Sequence, residues 1–307
     1  MNGAYSAGFL AGWSKTGTRP EFDVVTGVST GALVAAAAFL GPEYDDLARQ
    51  CYTRVRASDV YNYRAWVLIP WSGSVASSDP LKRLIDRVVQ PEFVQKVARE
   101  HARGRRLYVG TTNLSTERLT VWDMGAVASR GGSVAVERFR RILLASCSVP
   151  GMFPPVPFEP ADGSGPQELH ADGGVSSNVF VPIGVIAPEP NGRPSGTDVY
   201  IVLAHKLFAD PRPVRARVPS VLAATTSTII HANARTETGR LYHLSKSAGA
   251  NFHMTAVPDE HRAEAIALSF DPELLTELYD AGFQLGSAGP TWMRDPPFET
   301  TADKIRD

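Results

Sequence analysis

Two short stretches of the chain carry residues whose types and spacing could transfer an acyl group. The first is Gly27-Val28-Ser29-Thr30-Gly31, a serine with a glycine two positions to either side. A serine hydroxyl attacks a carbonyl only when a base takes its proton, so a partner group is required. The second stretch, His170-Ala171-Asp172-Gly173-Gly174-Val175, offers one. Paired glycines after an aspartate let the chain turn sharply and let another backbone segment come close, so the Asp172 carboxylate can reach a serine at a neighbouring strand end. Each stretch has a plainer use: a glycine-rich turn whose serine caps a helix, and an Asp-Gly hairpin turn.

The elements around Ser29 favour the chemical reading. Phe22 to Thr26 is a short run rich in β-branched residues, Gly27 to Gly31 reads as a turn, and Ala32 to Leu40 is an alanine-rich apolar helix. A serine at a sharp strand-to-helix junction projects its hydroxyl, and the helix N-terminus brings free backbone N–H groups and the positive end of its dipole to the place where an oxyanion would develop. Before it, residues 4–13 place Tyr5, Phe9, Leu10 and Trp13 among small residues, as in a buried helix, and Gly17 and Pro20 then break the chain.

Downstream, Asp79-Pro80 opens a helix with Asp79 as its cap. Leu107–Thr112 and Leu119–Trp122 alternate like a hairpin around Ser115-Thr116-Glu117. Residues 138–147 form a helix ended by Pro150, Pro154, Pro155 and Pro157, and Val199–Leu203 is a further strand. Stretches 160–168 and 188–196 read as surface loops, 219–247 as a long helical segment, and Asp271-Pro272 as the start of a last helix. Alternating strands and helices predict one α/β domain over residues 1–307, a mainly parallel sheet covered on both faces.

Composition narrows the partners. Lys+Arg 31 against Asp+Glu 32 gives a formal net charge of −1, so no whole-chain field gathers nucleic acid, and lipid contact has to be local. Cys51 and Cys147 lack metal-ligand spacing and read as core thiols, and the seven histidines show no pairing that would hold a metal. No apolar run is long enough to span a bilayer, so the chain reads as soluble. Met1 opens directly onto the first helix, which leaves an upstream segment, an export signal included, an open expectation.

The same residues resemble a known family. Gly27-Val28-Ser29-Thr30-Gly31 with Asp172-Gly173-Gly174 is similar to the paired motifs of the patatin-like phospholipases. Gly3-Ala4-Tyr5-Ser6-Ala7-Gly8, Thr111-Thr112-Asn113-Leu114, Ala145-Ser146-Cys147-Ser148-Val149-Pro150 and Phe153-Pro154-Pro155 follow in the family's order, so the likeness runs from about residue 3 to residue 182. The resemblance implies a patatin-like three-layer α/β/α sandwich and a Ser–Asp dyad without a histidine. Ser29 would form an acyl-enzyme from a phospholipid or other carboxylic ester, and Asp172 would act as base and then acid. No metal or organic cofactor is implied, the substrate is a lipid or small ester, and there is room for a peripheral membrane contact. The family's oxyanion loop, Gly-Gly-Gly-x-Arg/Lys-Gly, aligns with Met1 at x, Asn2 at the basic position and Gly3 at the last glycine, with Thr30 as the other backbone donor. The glycine run itself is not in this sequence, and the loss of one oxyanion donor typically costs about 10²–10³ in rate.

Two alternatives stand beside this reading. Ser29, Asp172 and His205 have the chain order of an α/β-hydrolase triad, although only about 28 residues precede the serine and no His-Gly-Gly motif is present. The chain could also be a binding member that keeps the hydrolase fold. His170 stays open as a base, because period two returns it to the face of Asp172 if the strand is straight. Trp66-Val67-Leu68-Ile69-Pro70-Trp71 reads as a core segment or a membrane-touching lid, and Arg103, Arg105 and Arg106 as a solvated turn.

Overall fold

The computed structural model describes residues 3–63, 74–160, 163–186, 196–261 and 270–297. Helix α1 (Gly3–Lys15) leads through a turn into strand β1 (Val24–Val28), helix α2 (Thr30–Leu40), α3 (Asp45–Thr53) and α4 (Ala57–Val60). A small pair, β2 (Asn62–Tyr63) with β3 (Ala76–Ser77), precedes α5 (Asp79–Val88) and α6 (Pro91–Ala102). Strands β4 (Arg106–Asn113) and β5 (Arg118–Asp123), helices α7 (Met124–Ser129) and α8 (Gly132–Ser146), and strands β6 (Val156–Phe158) and β7 (Glu168–Asp172) follow. The rest is α9 (Ile183–Ile186), β8 (Asp198–Val202), α10 (Val218–Ala248), β9 (Asn251–Thr255) and α11 (Pro272–Ser287).

The fold is of the expected α/β/α class, a sheet between helical layers. Leu107 and Val109 of β4 face a core made with α2 and α8. Gly110 faces Phe180 on the opposite side, where α9 and α10 close over β8 and β9. Strand pairing is more mixed than a mainly parallel sheet. β1 with β4 and β8 with β9 are parallel, whereas β4 with β5, β4 with β7 and β6 with β7 are antiparallel. The reason is connection length: the β4–β5 and β6–β7 links carry no crossover helix, so each pair folds back on itself.

Strand β4 organises the site. One edge is taken by β5, and the other is shared end to end by β1, which pairs with Arg106–Gly110, and β7, which pairs with Thr111–Asn113. Val28 therefore sits opposite Gly110 and Asp172 opposite Thr111, the next residue. The last residue of β1 and the last residue of β7 meet on adjacent positions of one strand.

Helix α1 is buried over Gly3–Trp13 and lies against α11 at backbone distance. A side chain on Gly8 would run into the Tyr279 carbonyl, one on Gly12 into that of Phe283, one on Gly282 into that of Tyr5, and one on Gly286 into that of Phe9. Two pairs of glycines four residues apart thus interlock across the helix crossing, and only glycine fits there.

Several boundaries shift from expectation. β1 begins two residues later and absorbs Gly27 and Val28, so the turn shrinks to Ser29 alone. Ser78, not Asp79, occupies the cap position of α5. Asp271 does cap α11, its carboxylate accepting the Glu273 N–H at 3.0 Å. Trp66–Trp71 lies outside the described residues, as do 161–162 of the loop expected at 160–168 and 188–195 of the loop expected at 188–196.

Candidate active site

Ser29 is one of two non-glycine residues with positive φ among those described, at φ 56° and ψ −135°. That combination suits glycine and costs a side chain roughly 1–3 kcal/mol, so the surroundings must hold it. Two glycines make room for the turn. A Cβ on Gly27 would lie 2.6 Å from the Ala35 Cβ and 2.6 Å from the Gly31 carbonyl oxygen, so α2 packs directly on β1. A Cβ on Gly173 would lie 2.5 Å from the Gly110 carbonyl oxygen, so the turn after Asp172 rests on β4. Gly31 has open space where a side chain would be, which leaves the approach to Ser29 clear.

The Ser29 hydroxyl donates to Asp172 Oδ2 at 2.6 Å. The other carboxylate oxygen, Oδ1, accepts the Gly174 N–H at 2.8 Å, which explains the second glycine: its backbone turns back onto the aspartate. Asp172 is 5% exposed, and burial raises its carboxyl from 3.8 to about 6 against the opposing pull of the Ser29 and Gly174 hydrogen bonds. A buried carboxylate with raised basicity beside a hydroxyl can accept that hydroxyl's proton.

The C-terminal turn of α8 holds both partners, a function the sequence did not disclose. Ser146 is wholly buried; its Oγ accepts the Ser29 N–H at 2.9 Å and donates to the Gly110 carbonyl at 2.8 Å. The Asp172 N–H donates to the Ser148 carbonyl at 2.8 Å. The readable signal was a polar residue on the buried side of a helix, which has to be satisfied by something. Gly3 and Thr30, the two expected oxyanion donors, head α1 and α2 and meet across Tyr52. Its ring fills the space beside Gly3, and its hydroxyl donates to the Thr30 carbonyl at 2.6 Å. The N-termini of both helices thus lie on either side of Tyr52, and their first N–H groups are unused within the helices.

The histidines stand apart. His205 lines the cavity that contains Ser29, but its ring bonds through Nδ1 to the Lys206 carbonyl at 2.7 Å and makes no bond to Ser29 or Asp172. Since a carbonyl only accepts, Nδ1 carries the proton; burial lowers this imidazole's pKa to about 4. His170 is fully buried, with Nδ1 2.8 Å from Thr111 Oγ1 and its ring against Trp122 and Phe158. It is a core group of the β4–β7 ladder. Arg105 is not in a solvated turn: it is 8% exposed, paired with Glu100 at 3.0 Å and bonded to the Phe22 carbonyl at 2.8 Å. Cys51 and Cys147 are free thiols.

Two cavities border the serine. One of about 480 Å³ is lined by Ser29, Asp172, β1 and β8. The other, about 60 Å³, lies beside Thr30 and is walled by side chains such as Leu33, Leu84, Val88 and Phe270. Among the described residues no helix is long and apolar enough to cross a membrane, and no group of His, Cys, Asp and Glu is placed to hold a metal.

The sequence model of patatin-like phospholipase matches residues 1–185, more than half of the chain, with Ser29 and Asp172 included. The chain belongs to the patatin-like phospholipase family. No curated protein matches this member of it. A similar solved structure is that of VipD from Legionella pneumophila, 13% identical, with a TM-score of 0.41 over 94% of this chain and 64% of that one. The patatin-like chain described here thus spans less than two thirds of the length of that protein. Its match to the family covers α1 to α9, while β8, α10, β9 and α11 lie beyond it.

Proposed function

We propose that this protein hydrolyses carboxylic esters of lipids, as a phospholipase A or carboxylesterase, with Ser29 as nucleophile and Asp172 as its base. The observation that carries the reading is the 2.6 Å hydrogen bond from the Ser29 hydroxyl to Asp172, made at a strained strand-to-helix turn. Ser29 Oγ attacks the ester carbonyl carbon while its proton passes to Asp172, giving a tetrahedral oxyanion beside the N-termini of α1 and α2. Collapse breaks the bond to the alcohol, which takes the proton from Asp172 and leaves an acyl-enzyme. Asp172 then takes a proton from water as that water attacks the acyl carbon, and the proton returns to Ser29 as the acid departs. The cavity of about 480 Å³ supports this reading, since Ser29 and Asp172 both line it and an acyl chain laid there reaches the nucleophile.

A Ser–Asp pair is favoured over a triad because Asp172 bonds the serine itself and His205 is engaged elsewhere. The test is labelling with a fluorophosphonate and turnover of p-nitrophenyl esters and phospholipid vesicles. Wild type and His205→Ala should label and turn over, while Ser29→Ala should do neither and Asp172→Asn should lose turnover. Activity lost in His205→Ala as well as in Asp172→Asn would favour the triad instead. A folded wild type that neither labels nor turns over would establish a binding protein on the hydrolase fold.

A further inference from the structure

Helix α10 changes character half-way along. Its second half is anchored: Ala234 is wholly buried, and Leu241 and Ala248 belong to the core over β8 and β9. From Ser220 to Ile230 no residue is buried, and Val221, Leu222 and Ile229 are 47%, 61% and 46% exposed. These three positions fall within about 100° of arc, so one face of the first three turns presents apolar side chains outward.

A helix face left to water normally carries charge. This one carries none. Val218 to Ala234 contains no Asp, Glu, Lys or Arg, and the next charged group, Arg235, turns back onto the body with its guanidinium 5.1 Å from the Phe208 ring. The hydroxyls withdraw as well: Thr226 and Thr228 donate to the Leu222 and Ala224 carbonyls at 2.9 Å each, so neither needs water. Charge gathers instead just ahead of the helix, where Pro211 to Arg217 holds Arg212, Arg215 and Arg217 and no acid. Arg215 and Arg217 are exposed, and Val214 between the arginines is 50% exposed. Cations at a helix N-terminus oppose its dipole, so these arginines do not serve α10 itself. The same stretch adjoins the site. Asn178 Nδ2 donates to the Ile230 carbonyl at 3.0 Å and Asn233 Nδ2 to the Val175 carbonyl at 3.4 Å, which seats the end of the exposed turns on the loop that follows Asp172.

We infer that the first three turns of α10, with Arg215 and Arg217, dock this protein on an anionic lipid bilayer. The helix lies along the surface with Val221 and Leu222 at the boundary of head groups and acyl chains, and the arginines meet lipid phosphates. Charge selects this occupant: a second copy would bring a face equally free of acids and leave the arginines uncompensated, whereas an anionic surface compensates them. The inference deepens the ester-hydrolase reading and rests on it for one consequence, that the bilayer under α10 is where the substrate is met.

The experiment uses the whole chain as Ser29→Ala, so that binding is read without hydrolysis. Vesicles of phosphatidylglycerol and phosphatidylcholine in equal parts should carry the protein upward in flotation, and vesicles of phosphatidylcholine alone should bind it about tenfold or more weakly. Val221→Ser with Leu222→Ser should weaken binding about tenfold or more. Arg215→Ser with Arg217→Ser should weaken it by about thirtyfold, roughly fivefold for each arginine at an anionic surface. An unchanged urea midpoint shows that both pairs keep the fold, as exposed positions should. Leu222→Trp should add emission that shifts to the blue on vesicles and is quenched by brominated acyl chains. With Ser29 restored, the Val221→Ser and Leu222→Ser pair should lower turnover of phospholipid vesicles and leave that of a soluble p-nitrophenyl ester unchanged. If the restored protein hydrolyses neither substrate, the hydrolase reading fails and the docking surface still stands or falls by flotation. Failure to bind anionic vesicles, equal binding to neutral ones, or binding untouched by either pair would overturn it. A dimer in sedimentation velocity that the Val221→Ser and Leu222→Ser pair dissolves would make the face a contact between copies instead.

Discussion

Replacing Asp172 by asparagine should stabilise the folded protein at neutral pH while removing its chemistry. Burial raises the carboxyl from 3.8 to about 6, so the folded state holds the proton more tightly than the unfolded chain does. A folded-state pKa above the unfolded value contributes stability that is fully present below about 3.8 and is lost as pH rises through about 6. At 1.36 kcal/mol per unit, a shift of roughly two units makes the ionised side chain a burden of about 3 kcal/mol at pH 7. The asparagine side chain has the same shape, accepts the Gly174 N–H and carries no charge at any pH. Urea unfolding of both proteins, followed by tryptophan fluorescence across the acid range, gives the stability difference at each pH. That difference should grow in favour of Asp172→Asn by about 3 kcal/mol across the window and be flat above it. Ester hydrolysis by the wild type should rise through the same window, because only the ionised carboxylate can take the Ser29 proton. A stability difference that stays constant, or that shrinks as pH rises, would refute the reasoning.

Other substitutions test the frame around this pair. Ser29→Gly should be more stable than Ser29→Ala by about 1–3 kcal/mol in chemical denaturation, since both lose the hydroxyl but only glycine accepts φ 56° with ψ −135°. Ser146→Ala leaves the Ser29 N–H and the Gly110 carbonyl without their partner and should cost about 1–3 kcal/mol per unpaired group, with a fall in kcat measured on a soluble ester. Gly282→Ala should lower stability by about 1–3 kcal/mol or more as its methyl meets the Tyr5 carbonyl. Gly31→Ala, within α2 and with open space around it, should raise stability by about 0.4–1 kcal/mol.

The serine and aspartate were legible because each sits in a local signal: a β-branched run before an alanine-rich helix for Ser29, and a double glycine for Asp172. What the sequence could not disclose is how they meet. That depends on β1 and β7 sharing one edge of β4, a long-range register with no local trace. The β4–β5 hairpin was legible from its polar turn, whereas the antiparallel pairing of β7 with β6 and with β4 left no local trace. Ser146 was visible as a residue but not as a bracket, since its two partners lie on β1's turn and on β4. His205 satisfied the chain order of a triad, but chain order says nothing about which way an imidazole points. Its ring is committed to the next residue's carbonyl.

The glycine interlock between α1 and α11 also has a consequence for how the protein is made. Gly8 and Gly12 find their partners only when Tyr279 to Gly286 exist, so α1 waits for α11 to be made. At ~5–20 residues per second that interval is on the order of tens of seconds, with the α11-facing side of α1 uncovered throughout. The nascent chain is then a customer for a holdase, and stalling translation before α11 should yield a polypeptide that aggregates or is degraded.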